Sequence, residues 1–197
     1  MLSLLLTVLV TMEFSFVNSG RKRKRPVCRE VGLAIATFDA NNNGISGEAI
    51  ITSEGVFELY LDISGFDTSI CENNGGNDEY GYHLHEIWNN DDLSDQVTDL
   101  CGPFYTAGHY NPYEVPVCSA LPEDEEITWF NCEVGDLSGR FGNVENCDNK
   151  LIVNAQRISP RRCDPLIQPD TVYKRSIVFH CPDGKRAFCA PFILSVH

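Results

Sequence analysis

Two histidines separated by a single residue occur in the run YGYHLHEIW at residues 80–88, in a chain that has only five histidines. Successive side chains of an extended strand point to opposite faces of the sheet, so His83 and His85 are expected on the same face. Imidazole nitrogens are good ligands for zinc, copper, iron and nickel ions. A lone histidine on a strand is more often structural, but this pair predicts a metal site.

The other three histidines are distant in the sequence. His109 lies in a long irregular stretch at residues 89–126, His180 ends an apolar, β-branched segment, and the terminal His197 is expected to be uninvolved. A cluster of imidazoles without a thiolate favours Cu(II) among divalent ions. Cupins also carry an H-x-H strand and are the strongest competing fold, but the acid and glycine spacing that usually follows their pair is not met here.

The segments that must position these histidines have the character of β-strands. Short apolar runs alternate with turns rich in Gly, Asn and Asp, and residues 32–54 predict a hairpin. Further strands are expected at residues 56–66, 80–88, 127–134, 151–159, 174–181 and 186–194. No segment shows a convincing amphipathic helix. The chain of 197 residues is therefore expected to form one antiparallel sandwich or barrel.

The N-terminal residues predict export. Residues 2–12 form an apolar run that is too short to span a bilayer, and small residues precede a cleavage site after residue 19. An uncleaved, buried first strand is the alternative. We interpret residues 1–19 as a secretory signal peptide, residues 20–31 as a basic tail and residues 32–197 as the folded domain of a secreted, extracellular protein.

Nine cysteines agree with an oxidising compartment, in which they would form several disulfides. No CxxC pair occurs, so a thiolate zinc site is not expected. The odd number leaves at least one thiol that is free or that joins two chains in a disulfide-linked dimer. The pairing cannot be deduced from the spacing.

The formal net charge is −13, and residues 30–139 contain no Lys or Arg. A nucleic-acid-binding protein needs a basic face on its fold, so that function is not expected. The basic run Arg21, Lys22, Arg23, Lys24 and Arg25 could bind sulfated glycans or another anionic surface. The alternatives are a flexible tail or a processing remnant. After the N-terminal run, no segment is long and apolar enough to be a membrane-spanning helix.

Five motifs occur in the order and context that are typical of the copper–zinc superoxide dismutase family: GYHLHE, AGHYNP, EVGDL, SIVFH and RAFC. The resemblance spans residues 32–194. It implies an all-β, eight-stranded antiparallel Greek-key β-barrel that disulfides stabilise. It also implies a metal site on the outside of the barrel, beneath long loops.

The resemblance implies four copper ligands: His83, His85, His109 and His180. It also implies a disulfide between Cys101 and Cys189, which would hold the loop that carries His109 against the barrel. The remaining cysteines are expected to form extra bridges: Cys28, Cys71, Cys118, Cys132, Cys147, Cys163 and Cys181. Cys181 directly follows a ligand, and an effect on the copper is its less favoured interpretation.

Arg186 resembles the family's arginine that lies near copper and receives the anionic substrate. A fixed positive charge beside an open copper face would guide and orient superoxide. A solvated pair with Asp183 is the alternative interpretation. The acidic surroundings would oppose attraction of the anion at long range.

Two departures resemble the copper-only branch of the family, whose members are secreted enzymes. The further histidines of a zinc site are missing, with Glu133 in the place of one, and only residues 181–185 separate His180 from Arg186. Copper is therefore the expected metal, and zinc is not expected. In that branch, residues at the positions of Glu133 and Asp136 engage the ring that corresponds to His109. Glu133 would orient this proton-carrying ring, and Asp136 would support the loop or the ring.

Together these residues predict a superoxide dismutase, which disproportionates superoxide to dioxygen and hydrogen peroxide by alternate reduction and reoxidation of one histidine-bound copper. Its expected catalytic residues are His109, Arg186, Glu133 and Asp136. The alternative is an extracellular copper carrier or matrix protein of the same fold, which the acidic surface and basic tail would suit. A pseudoenzyme is disfavoured, because the four histidines and Arg186 are all retained.

Overall fold

Nine strands occur in the part of the chain that the computed structural model describes, namely residues 32–40, 44–71, 79–89, 101–128, 130–158 and 167–195. They are β1 Leu33–Phe38, β2 Ser46–Thr52, β3 Val56–Asp62, β4 Glu79–His85, β5 Val144–Cys147, β6 Lys150–Arg157, β7 Ser176–His180, β8 Arg186–Pro191 and β9 Ile193–Ser195. All neighbouring strands pair antiparallel. The prediction of an antiparallel β-structure is confirmed.

The strand order in the sheet is β8-β7-β4-β5-β6-β3-β2-β1-β9. β6 forms a hairpin with β5 and pairs with β3 on its other side, while β4 lies between β5 and β7, which is a Greek-key arrangement. The two edge strands, β8 and β9, are consecutive in the chain. The sheet therefore closes almost completely into a barrel and leaves little exposed edge.

The strand count differs by one from the predicted eight. The single last strand expected at residues 186–194 is divided at Phe192, whose side chain is fully buried. The Phe192 N–H donates to the Arg175 carbonyl at 2.9 Å, and the Phe192 carbonyl accepts from the Lys174 N–H at 3.2 Å. This local change of partners ends the pairing with β7 and lets β9 pair with β1.

The alternation of β4 determines where the H-x-H pair points. Tyr80, Tyr82 and Leu84 are buried in the hydrophobic core, so the alternate residues His83 and His85 lie on the outer face of the barrel. Burying a large apolar side chain contributes about 1.5–3 kcal/mol, and a slip of one residue would expose all three. The core residues of β4 therefore fix the outward direction of both imidazoles.

The strand predicted at residues 127–134 is wrong. The described residues of this segment form turns and irregular structure, and β5 supplies the missing strand instead. The guanidinium of Arg140 donates to the carbonyls of Thr128 at 2.8 Å and Glu133 at 3.0 Å, so these acceptors are satisfied by a side chain rather than by a strand. The β5–β6 hairpin turns at Asp148 and Asn149, whose φ values are 53° and 62°. Positive φ at both central residues is typical of tight hairpins.

Three short α-helices lie in the loops that the structure describes: α1 Pro103–Thr106, α2 Leu137–Phe141 and α3 Pro169–Val172. The Asp136 carboxylate caps α2 by accepting the Gly139 N–H at 2.9 Å. Among the described residues, no helix combines the length and the apolar character needed to cross a membrane.

Within the described residues, three disulfides connect the loops and the barrel: Cys71–Cys181, Cys101–Cys189 and Cys118–Cys132. The extra bridge expected for Cys147 is a wrong prediction, since this cysteine at the end of β5 is exposed and free. The other cysteines of that set, Cys28 and Cys163, lie outside the described residues, as do the predicted signal peptide, the basic tail and His197.

Candidate metal centre

Four histidines converge on the outer face of the barrel: His83, His85, His109 and His180. One ligand nitrogen from each ring lies within 4.8 Å of those of the others. β4 supplies the first two, and β7 supplies His180, which pairs in register with Gly81 and so lies on the same face. The structure therefore brings together the four residues that the sequence motifs single out.

His109 reaches the cluster from a loop. Its backbone forms an isolated antiparallel bridge with His85, and the Tyr110 N–H donates to the Leu84 carbonyl at 2.8 Å. Gly135 continues this arrangement, because its N–H donates to the Tyr110 carbonyl at 2.8 Å and its carbonyl accepts the Leu84 N–H at 2.9 Å. The end of β4 thus holds both loop segments, one with His109 and one with Glu133 and Asp136.

Replacement of Gly135 by alanine is expected to disrupt this junction. A Cβ at this position would overlap the Leu84 carbonyl oxygen and lie 2.7 Å from the Tyr110 nitrogen. Overpacking of this kind costs about 1–3 kcal/mol, and here it would also displace His109. Thermal unfolding and copper titration of Gly135→Ala measure the effect. The control is Gly108→Ala, since a Cβ at Gly108 meets no atom within 4 Å. Equal behaviour of the two variants would contradict this prediction.

Three of the rings are fixed through their outer nitrogen. The Nδ1–H of His85 donates to the Ala107 carbonyl at 3.0 Å, and that of His180 donates to the Gly184 carbonyl at 3.1 Å. The Nδ1–H of His109 donates to Glu133 Oε2 at 2.6 Å. Because these oxygens can only accept, each Nδ1 carries the proton and each Nε2 is left with a free lone pair.

His83 uses the opposite nitrogen. Its Nε2 lies 2.8 Å from Ser138 Oγ and 3.3 Å from Asp136 Oδ1. Its Nδ1 is buried and has no hydrogen-bond partner in the protein. A buried polar atom without a partner is costly, and a metal ion at the cluster would supply one. The donor set therefore fits a metal: four imidazole nitrogens without a thiolate suit copper.

The surroundings favour the neutral form of three rings, those of His85, His109 and His180. Burial lowers the pKa of His180 to about 4, while burial and then the Arg186 charge lower that of His85 to about 2. The pKa of His109 is also lowered, first by burial and next by the nearby His83. A neutral imidazole is the form that binds a metal, so these three rings can bind one without first losing a proton.

The metal-free protein is expected to lose stability as the pH falls from 6.5 to about 4. Histidine in the unfolded chain titrates near 6.5, above the folded pKa values of His85, about 2, and His180, about 4. Below 6.5 the unfolded chain therefore binds more protons than the folded one, and the free energy of unfolding decreases. Thermal unfolding between about pH 7 and about pH 4.5 measures how the free energy of unfolding depends on pH. In His180→Asn this dependence should be weaker, because about one proton fewer is taken up on unfolding. Equal slopes would contradict the prediction.

The two carboxylates contact different rings. Glu133 engages His109, as the resemblance implies, but Asp136 engages His83 rather than His109. Asp136 also accepts the Cys118 N–H at 2.9 Å and caps α2, which directs its side chain toward β4. Burial raises the pKa of Asp136, but its hydrogen bonds with His83, Cys118 and Gly139 outweigh this and bring the pKa to about 2. Asp136 is therefore a carboxylate that supports both the loop and a ring.

Arg186, at the start of β8, lies beside the cluster. Its guanidinium donates to the Cys101 carbonyl at 2.9 Å, to Thr106 Oγ1 at 2.6 Å and to the Ala107 carbonyl at 2.6 Å. The Ala107 carbonyl is also the acceptor of His85, so the cation and this ring share one anchor. Asp183, the alternative partner considered for Arg186, lies 3.7 Å from the Lys185 ammonium.

Three further residues at this site make contacts that the sequence does not indicate, although Asn111 belongs to the AGHYNP motif. Ser138 contacts His83, Asn111 contacts Glu133, and Arg140 binds the backbone carbonyl of Glu133. Each contact joins residues that are distant in the chain or lie in irregular structure. No periodicity or motif spacing could have indicated them.

Comparison with solved structures identifies the fold. Superoxide dismutase 5 of Candida albicans, in a structure with Cu(II), shares 22% sequence identity with a TM-score of 0.52, and the alignment covers 85% of this chain and 94% of that chain. A mutant of that enzyme shares 22% sequence identity with a TM-score of 0.52, and the alignment covers 86% of this chain and 95% of the mutant. The clock protein EA4 shares 20% sequence identity with a TM-score of 0.50, and the alignment covers 87% of this chain and 100% of EA4.

Searches with protein-family models and among curated proteins find no match. The alignment with the first of these structures covers 85% of this chain. At 22% sequence identity, this similarity is evidence of a shared fold. It agrees with the Greek-key strand order of the described barrel. The chain therefore has a copper–zinc superoxide dismutase-like fold, which confirms the resemblance predicted from its sequence motifs.

Proposed function

We propose that the protein is a secreted superoxide dismutase that uses copper and needs no zinc. The observation that carries the proposal is a centre of four imidazoles in which one ring, His109, is held by a carboxylate through its outer nitrogen. Bound copper would supply reversible one-electron chemistry, by which two superoxide ions and two protons become dioxygen and hydrogen peroxide. His83 Nδ1 and the Nε2 atoms of the other three histidines would hold it.

The protein residues have separable roles in this proposal. Arg186 attracts and orients the anion beside the centre, because its guanidinium is fixed by three acceptors next to His85. Glu133 keeps Nδ1 of His109 protonated, so that Nε2 is the nitrogen that can take up and release a proton. A cavity of about 250 Å³ reaches His83 and His109 from the side of Ser138, which gives solvent a route to these rings.

The carboxylates also support a site without zinc. Glu133 is engaged by His109 and Asn111, and Asp136 by His83 and the Cys118 N–H. These contacts orient the two histidine rings by hydrogen bonds, a task that a second metal would otherwise perform. The disulfides of the described barrel are compatible with the proposed extracellular location.

Metal content and superoxide dismutation, measured on the same oxidised and purified protein, test the proposal. One copper per chain, little zinc and copper-dependent activity are the expected results. Copper without activity would favour the alternative, an extracellular copper carrier or matrix protein. No bound copper, or a full equivalent of zinc, would overturn the copper-only proposal.

The Glu133→Gln substitution is expected to lower turnover by about tenfold to a hundredfold while copper content is retained. The amide has no charge to stabilise the ring, and it can turn a donor toward His109. Steady-state dismutation and metal analysis on the same sample measure the two effects. Glu125→Gln is the matched control, because Glu125 accepts a hydrogen bond from Asn131 in the exposed loop. Unchanged turnover in Glu133→Gln would remove Glu133 from the mechanism.

A further inference from the structure

Asn111 contacts the carboxylate that holds His109. Its side-chain Nδ2 donates to Glu133 Oε1 at 3.1 Å and to the Val115 carbonyl at 2.8 Å. Its Oδ1 accepts the Val115 N–H at 3.1 Å. The side-chain amide thus closes its own turn and, with its remaining donor capacity, reaches Glu133.

Both oxygens of the Glu133 carboxylate are consequently engaged. Oε2 accepts from His109 at 2.6 Å, and Oε1 accepts from Asn111. The Glu133 side chain is only 15% exposed, so water has limited access to replace either partner. Rotation of this carboxylate away from His109 would break the bond to Asn111 as well.

Asn111 is itself anchored to the barrel. Its backbone N–H donates to Glu86 Oε1 at 3.0 Å, directly after β4. The other oxygen of Glu86 accepts from Arg175 at 2.8 Å, and the Arg175 guanidinium lies 3.8 Å from the Tyr110 ring centroid. This series of contacts fixes Asn111 relative to the strand that carries His83 and His85, and not only to its own loop.

We propose that Asn111 is a positioning residue for the metal centre, which holds the Glu133 carboxylate in the one orientation that binds His109 Nδ1. The inference extends the proposed dismutase function, in which that carboxylate orients His109. Asn111 acts through Glu133 and does not touch the centre. Its loss should release the carboxylate and leave the outer nitrogen of His109 exposed to water.

The chain contains a matched residue that separates this role from simple closure of a turn. The Asn131 side chain donates to Glu125 Oε1 at 2.9 Å and to the Glu126 carbonyl at 3.0 Å, and it accepts the Thr128 N–H at 2.7 Å. Asn131 therefore makes the same kinds of hydrogen bond as Asn111. Its carboxylate partner, Glu125, lies in the exposed loop, whereas the partner of Asn111, Glu133, contacts His109. Asn131→Ala is therefore the control.

The test is NMR of the His109 Nδ1–H in the full chain with ¹⁵N-labelled histidine, both metal-free and loaded with Cu(I), which is diamagnetic. We expect exchange of this proton with water to be at least about tenfold faster in Asn111→Ala and unchanged in Asn131→Ala, because only the first removes a hydrogen bond to Glu133. Unchanged exchange in Asn111→Ala, or equal acceleration in both variants, would overturn the proposal.

A second variant guards against misfolding of the first. Asn111→Ser retains a short acceptor for the Val115 N–H but cannot reach Glu133, so it should fold and still accelerate the exchange. When Asn111→Ser is combined with Glu133→Gln, it should not lower turnover further. If the two losses of turnover add, Asn111 does not act through Glu133. If the wild-type protein has no dismutase activity but Asn111→Ser accelerates the exchange, the function fails and the positioning role stands. If the wild type is active and the exchange is unchanged, only the positioning role fails.

Discussion

Replacing His109 with alanine is expected to lower copper affinity by at least about a hundredfold and to remove dismutation. Loss of groups that only orient ligands already costs tenfold to a hundredfold, and His109 would be a ligand itself. The substitution also leaves Glu133 Oε2 without its partner at 2.6 Å, in a side chain that is 15% exposed. An unpaired, partly buried carboxylate adds a cost to the folded state.

Copper titration monitored by the Cu(II) absorption, with activity on the same samples, measures the effect. Asn143→Ala serves as the control, because Asn143 lines the same cavity but offers an amide rather than an imidazole. The control should bind copper normally. Wild-type copper affinity and dismutation in His109→Ala would place His109 outside the centre, although its ring lies beside those of His83 and His85.

Removal of the disulfide between Cys101 and Cys189 is expected to destabilise the protein strongly. Loss of a native disulfide from a small secreted domain costs about 2–5 kcal/mol. This bridge joins residues 88 apart in the chain, directly before α1 and within β8. The Cys101 carbonyl also accepts from Arg186 and from Thr106 Oγ1, so the loop beside the centre would lose its covalent anchor.

Urea unfolding of the Cys101→Ser, Cys189→Ser double variant measures this loss, and copper content measures its effect on the site. The comparison is the Cys118→Ser, Cys132→Ser double variant, whose bridge spans only 14 residues. Because chain-entropy stabilisation grows with loop length, the second loss should be smaller by about 1.6 kcal/mol. A larger loss from the shorter bridge would contradict the entropic account, and unchanged copper binding in the first variant would show that this anchor is not needed by the site.

The strands that carry ligands could be predicted because alternation is a local property. The run at residues 80–88 puts Tyr80, Tyr82 and Leu84 on one face and the two histidines on the other. The tertiary structure obeys this pattern, since burial of the apolar face is favourable in any barrel. β5 could not be predicted for the same reason. Only Val144 of its four residues is buried, so the sequence shows no alternation there.

The identities of the four clustered histidines and the contact of Glu133 with His109 followed from the family resemblance, but the contact of Asp136 with His83 did not. Glu133 and His109 are 24 residues apart, and their meeting depends on the junction of two loops at the end of β4. Asp136 binds His83 because its role as the cap of α2 aims it toward that ring. Neither arrangement has a local rule that spacing could express.

Chain alternation, charge distribution, cysteine number and motif order were thus enough to predict an antiparallel barrel and to select its candidate ligands, because each is a property of neighbouring residues or of composition. The protonated nitrogen of each ring, the choice of His83 as the partner of Asp136 and the contact of Asn111 with Glu133 emerged only from folding. They depend on hydrogen bonds and disulfides between segments remote in the chain, and such contacts exist only after the barrel has closed.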